Sequence, residues 1–99
     1  SLRGLLRASR DVTNYDRRYN ARQKLMNIAD ERFQDLAAIV EDEMEDLDIR
    51  RAAMRWLAVA DADRAERHLK RQRDDENKVI REMAQAVLDD LSHYREKQK

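Results

Sequence analysis

The stretch Val79-Ile80-Arg81-Glu82-Met83-Ala84-Gln85-Ala86-Val87-Leu88-Asp89-Asp90-Leu91-Ser92-His93-Tyr94 decides the fold class. Its apolar residues, Val79, Ile80, Met83, Val87, Leu88, Leu91 and Tyr94, return every three or four positions. That is the period of an α-helix with one buried stripe. No glycine or proline interrupts it. Arg95, Lys97 and Lys99 follow, where cations suit the negative end of the helix dipole.

Upstream, Lys70 to Lys78 contains no apolar residue. It reads as a solvated stretch of helix or as a turn near Asp74 and Asp75, either of which can cap the last helix. Before it, Ile49, Ala52, Ala53, Trp56, Leu57 and Ala60 form a second helical face, with Asp48 as the expected N-cap. Continued unchanged, that face would meet Asp63, Arg64 and Arg67. Ala65 and Leu69 follow a different phase instead, and Asp63 with Glu66 has the spacing of a capping box. A break is therefore expected between Asp61 and Asp63.

The first half carries a longer pattern. Leu5, Val12, Tyr19, Met26, Phe33, Val40 and Leu47 recur every seven residues. Ala8, Tyr15, Ala29 and Leu36 stand between them, and Arg22 and Glu43 interrupt that second row. This is a coiled-coil-like period. It fits one very long helix, or two or three helices that stay in phase. Thr13 with Asp16, and Asp30 before Glu31, are the internal caps it offers. As a continuous seam, the Leu5–Leu47 stripe would be a surface for self-association.

Composition agrees with helices throughout. The 99 residues suit a single domain, 1–99, and include no proline, no cysteine and one glycine, Gly4. A sheet protein of this length needs tight turns, and turns recruit Gly, Pro and Asn-Gly pairs. Disulfides, thiolate metal sites and cysteine nucleophiles are excluded. No run approaches the roughly 18–20 apolar residues of a membrane span. The chain opens on Ser1 with no continuous apolar leader, so no targeting signal is expected and a chain made in a cell would stay in the cytoplasm. The predicted fold is all-α, an antiparallel helical bundle of four or five helices. Val12, Tyr19, Met26, Phe33, Val40, Trp56, Leu57, Val79, Met83, Val87 and Leu91 are its expected core.

Charged residues make up 42% of the chain and cancel to zero. They come in blocks of net +5 (1–24), −8 (25–48), +5 (49–73) and −2 (74–99), so neighbouring helices should be complementary. One segment opposes good helix design. Glu41-Asp42-Glu43-Met44-Glu45-Asp46-Leu47-Asp48 puts anions at the negative end of any helix that closes there. Basic neighbours from the arginine-rich blocks should compensate.

No catalytic, cofactor-binding or metal-binding residue emerges. A di-iron bundle needs Glu-x-x-His on two helices. Here Asp90 and Asp89 stand near His93, but His68 has Ala65 and Arg64 at the matching positions. Both histidines read as solvated or rim residues. Ser92 and His93 are adjacent and point about 100° apart on a helix. No glycine-rich phosphate loop exists. Arg64, Arg67, Lys70, Arg71 and Arg73, preceded by Arg50, Arg51 and Arg55, form one basic cluster. Arg3, Arg7, Arg10, Arg17, Arg18 and Arg22 form another. Zero net charge and few aromatics weigh against nucleic-acid binding. Large aromatics on an apolar stripe are more often core, and Tyr15 and Tyr19 suit an edge.

The polar connections Asp46-Leu47-Asp48, Asp61-Ala62-Asp63 and Arg73-Asp74-Asp75, with no proline or cysteine, resemble those of a computationally designed helical protein. Arginine outnumbers lysine sixteen to five, and Asn14, Asn20 and Asn27 sit inside helical sequence. That texture departs from Lys-Glu surfaces and repetitive Leu cores, and is similar to designs assembled from pieces of natural helices. The resemblance implies a structural scaffold with no biochemical activity, no enzyme and no required partner. The alternative is a natural helical protein–protein interaction module of coiled-coil or adaptor type.

Overall fold

Five short polar connections cut the chain into six α-helices: α1 (Leu2–Ala8), α2 (Tyr15–Ile28), α3 (Phe33–Glu41), α4 (Leu47–Ala60), α5 (Ala62–Arg73) and α6 (Lys78–Lys97). The computed structural model describes residues 1–98; Lys99, counted above among the terminal cations, lies outside them. The fold is all-α, with no strand among the described residues. Six helices exceed the four or five expected, because the seven-residue row is divided among α1, α2, α3 and the first residue of α4. A single helix from Leu5 to Leu47 would run for about 65 Å. The longest dimension of the molecule is 36 Å.

Local chemistry explains each break. After α1, the Ser9 hydroxyl bonds back to the Leu6 carbonyl at 2.6 Å, and the Asp11 carboxylate accepts from the Thr13 amide and hydroxyl. Such local bonds compete with helix continuation. Asn14, not Thr13, then caps α2, accepting from the Arg17 amide at 3.0 Å. Arg32 opens α3 without a side-chain cap, so Asp30 does not serve there. Asp46 rather than Asp48 caps α4, accepting from the amides of Asp48 and Ile49. Asp61, in extended backbone, ends α4 and caps α5 through the Arg64 amide, where the break was expected. Asn77 caps α6, and Asp75 supports it by accepting from the Asn77 amide at 2.7 Å.

The caps belong to a repeated unit. Asn14, Asp46 and Asn77 each begin the pattern Asn/Asp-x-x-x-Arg-x-x-Ala-x-x-x-Leu, completed by Arg18, Ala21 and Leu25, by Arg50, Ala53 and Leu57, and by Arg81, Ala84 and Leu88. The three copies start 32 and 31 residues apart. All three alanines are buried, as are Leu25 and Leu57; Leu88 is half-buried. Each arginine reaches back to a backbone carbonyl of the preceding connection or helix end: Arg18 to Asp11, Arg50 to Val40, and Arg81 to Asp75 and Glu76. Helix C-terminal carbonyls have no partner within their own helix, and arginine is one way to satisfy them.

Two of the three helices preceding these units, α3 and α5, repeat as well. Phe33, Leu36, Ala37 and Val40 of α3 align with Ala65, His68, Leu69 and Gln72 of α5, and all eight are buried. The chain is thus three helix pairs, α1–α2, α3–α4 and α5–α6. Each pair is closed by a connection of four to six residues. α4 packs against every other helix. Among the described residues, neither α1 nor α2 touches α5 or α6. The outer pairs both rest on the middle one, but not in the same way: among the described residues α1 and α2 meet only α4 of that pair, whereas α5 meets α3 and α4, and α6 meets α4.

One apolar cluster runs through all six helices, from Leu2 and Leu6 through Leu25, Leu36, Met54 and Leu57 to Leu69, Ile80 and Val87. Of the expected core, Phe33, Val40, Leu57, Met83 and Val87 are buried, while Trp56 and Leu91 are half-buried against the cluster. Val12, Tyr19, Met26 and Val79 are exposed. Val12 lies in the α1–α2 connection. On α2 the buried face is instead Ala21 and Leu25, so the larger side chains Tyr15, Tyr19 and Met26 stand in solvent.

Candidate interaction groove

The arginine clusters are mostly used up within the fold. Arg3 makes a two-pronged bond to Glu45 at 2.8 and 2.9 Å, tying α1 to the acidic α3–α4 turn and holding the Glu45 carboxyl below its usual range. Arg17 pairs with Asp11 at 2.8 Å. Arg71 and His68 both reach Glu41, at 2.7 and 2.8 Å. Arg95 joins Asp63 and Glu66, and with Lys70 it holds Glu66 below the ordinary carboxylate range. Arg55 pairs with Asp90 and lowers that carboxyl in the same way. All of these pairs except Arg17–Asp11 and Lys70–Glu66 join charge blocks of opposite sign. They also answer the acidic end of α3: Glu41 meets two groups from α5, and Arg50 covers the Val40 carbonyl.

His68 is buried rather than solvated. Its ring meets Phe33 edge-on, with centroids 5.7 Å apart, and the Arg64 guanidinium lies 4.0 Å from the Phe33 ring centre. The three side chains lock α5 onto α3. His93 is exposed, 3.9 Å from Glu96, and Asp90 is engaged by Arg55, so the sequence pairing of Asp90 with His93 is not formed. Among the described residues, no three His, Asp or Glu side chains converge as a metal site. Every buried side-chain polar atom among them has a partner. No described helix is long and apolar enough to cross a membrane.

The Leu5–Leu47 stripe does not form one seam. Phe33 and Val40 are buried, while Val12, Tyr19, Met26 and Leu47 are exposed on separate elements. Tyr15 and Tyr19 stack with centroids 6.1 Å apart, and Arg18 lies over Tyr15.

Two depressions flank α4 instead, together called the groove. On one side a depression of about 300 Å³ lies against the α1–α2 connection and α2, lined by Arg10, Arg22, Arg55, Trp56 and Val59. On the other a depression of about 520 Å³ lies against α6, lined by Val59, Val87, Leu91 and Tyr94 beside Arg55 and Asp90. Arg55 and Val59 belong to both. The Arg22 Nε donates to the Ser9 carbonyl at 2.9 Å, which fixes that guanidinium at the rim. Val59 and Tyr94 are 59% and 60% exposed, far more than their apolar neighbours in the core. Sequence reasoning assigned Arg10 and Arg22 to a generic basic cluster and missed the groove. It is visible only when α2, α4 and α6 are set side by side by the repeat.

No protein-family model, curated protein or solved structure matches the chain.

Proposed function

We propose that this chain is an interaction module of stacked helix pairs that binds a segment of another protein. The observation that carries the reading is the repeated unit at Asn14, Asp46 and Asn77. Repetition of one packing unit generates a continuous surface from equivalent helices, and stacks of this kind are used as binding surfaces. The second helix of each pair contributes to that surface here. The antiparallel order of each pair follows from its short connection. No catalytic role is assigned to any residue.

A scaffold that folds and does nothing more is the competing reading. It draws on the same regularity and on the full satisfaction of buried polar atoms. Selection of short random peptides displayed on phage separates the two. The module reading expects an enriched peptide set whose binding is lost when a residue on the α2/α4/α6 face is changed. The scaffold reading expects no enrichment over an unrelated helical protein. Sedimentation equilibrium adds the case of self-association: a module that acts on other proteins stays monomeric over the concentration range, whereas mass rising with concentration would make the exposed Tyr15, Tyr19 and Met26 face of α2 a contact between copies.

A further inference from the structure

We infer that the groove beside α4 takes a short acidic segment of a partner protein, with a carboxylate seated by Arg10 and Arg22 and a following apolar side chain seated by Val59, Leu91 and Tyr94. This rests on the module reading and names the chemistry of its partner.

The two halves of the groove differ. The half against the α1–α2 connection and α2 is lined by three guanidiniums and no carboxylate; Arg55 is tied to Asp90 on its other side, which leaves Arg10 and Arg22 facing the depression. Arg22 is held by Ser9 through Nε alone, which leaves both terminal nitrogens to donate. Arg10 makes no ion pair among the described residues. Guanidiniums fixed at a rim favour paired bonds to a carboxylate. The half-buried Trp56 forms part of the wall, which lowers the local dielectric and strengthens those bonds. The half against α6 is mainly apolar. Its two carboxylates are already occupied, Asp61 by the Arg64 amide and Asp90 by Arg55. Leu91 and Val87 form its floor, and Val59 and Tyr94 stand up from it.

Charge decides between a peptide and a nucleic acid. The basic half is bounded on both sides. Beyond Arg10, a further depression between α1 and α4 is lined by Asp46 and Asp48 beside Arg7, Arg10 and Ile49. Beyond Arg55 lie Asp90 and Asp61. A phosphate backbone, with one charge for each nucleotide, would meet carboxylates in either direction. A segment with a few acidic residues followed by leucine or phenylalanine meets complementary chemistry along the whole groove.

The test is fluorescence anisotropy with a fluorescein-labelled synthetic peptide of three glutamates followed by Leu-Ala-Ala-Phe. The expected result is saturable binding that weakens as salt is raised. Arg10→Gln should weaken it about threefold, as for an exposed charge pair. Val59→Asp should weaken it tenfold or more, about 1.4 kcal/mol. Both positions are exposed, and unchanged circular dichroism of the variants shows that the fold is intact. Replacing Leu and Phe of the peptide by alanine should abolish binding, and so should replacing its glutamates by lysine. Three results overturn the inference: no saturable binding, binding indifferent to both substitutions, or a duplex oligonucleotide that binds more tightly and competes the peptide away. If peptide selection yields neutral or basic binders whose affinity survives Arg10→Gln and Val59→Asp, the module reading stands and this inference fails.

Discussion

Replacing Arg50 with methionine should be the most damaging change at any of the three repeated arginines. Arg50 is only 4% exposed. Its Nε and one terminal nitrogen donate to the Val40 carbonyl at 3.1 and 3.0 Å, and that nitrogen also donates to the Gln72 side-chain oxygen at 2.9 Å. It therefore closes the end of α3 and links it to α5 from a position on α4. Methionine keeps most of the apolar stem, so the loss is chiefly polar. Hydrogen bonds from a charged donor contribute about 1.5–3 kcal/mol, and a buried acceptor left without a partner costs about 1–3 kcal/mol. The Val40 carbonyl and the Gln72 amide are both stranded, so the expected destabilisation is about 2–4 kcal/mol. For a chain of this length each kcal/mol moves Tm by about 4–8 °C, so the drop should be about 8–32 °C. Arg18 and Arg81 are half-exposed and bond only to connection carbonyls, so Arg18→Met and Arg81→Met should each cost about 1 kcal/mol. Urea denaturation followed by far-ultraviolet circular dichroism gives all three values. Adding Gln72→Leu to Arg50→Met should cost less than the separate losses together, by about 0.5–1.5 kcal/mol. An Arg50→Met loss below about 0.5 kcal/mol, within the range of ordinary surface changes, or full additivity with Gln72→Leu, would refute the reasoning.

Further expectations follow from the same structure. Val12→Ser and Met26→Ser should each leave stability within about 0.5 kcal/mol, because both side chains are exposed; a loss of 2 kcal/mol or more in urea would restore the seven-residue row as a core seam. Ala53 and Ala84 are fully buried on α4 and α6, so Ala53→Leu and Ala84→Leu should each cost about 1–3 kcal/mol by overpacking, read from the same denaturation curves. The Asp11 carboxyl, held by Thr13 and then Arg17, is lowered to about 2, and a carbon-detected NMR titration should find its midpoint there. Its folded value lies below its unfolded one, so its stabilisation is present above about pH 4 and disappears as pH falls through about 2. Thr13→Val should move that midpoint upward, and an unmoved midpoint would remove Thr13 as the principal cause.

Much of the local structure is legible in the sequence. The stripe from Ile80 to Leu91 places α6, and the phase change after Ala60 marks the Asp61 break. The alternating charge blocks anticipate the pairs Arg3–Glu45, Arg71–Glu41 and Arg55–Asp90. The internal breaks of the first half are harder to see, for three physical reasons. Each cap has a polar neighbour of similar ability, Thr13 beside Asn14, Asp48 near Asp46 and Asp75 near Asn77, so side-chain chemistry alone leaves several starting points. On α2 the buried face is made of Ala21 and Leu25, while the bulkier Tyr15, Tyr19 and Met26 face solvent. Hydrophobicity then points to the wrong face. The repeat itself rests on a cap, an arginine, an alanine and a leucine, three of them common residues in any helix. A seven-residue row of larger apolar side chains overlies it with a period that does not divide 31 or 32. Burial of His68 needs the α3–α5 contact, which no local pattern encodes.

The central claim is that three helix pairs stack in order, each touching only its neighbours. A methyl- and aromatic-resolved NOESY spectrum of the whole chain tests it most directly. The stack predicts cross-peaks between the Phe33 and His68 rings, and contacts linking α4 to both outer pairs, with none joining protons of α1 or α2 to those of α5 or α6. Cross-peaks from Leu6 or Leu25 to Leu69 or Ile80 would contradict it.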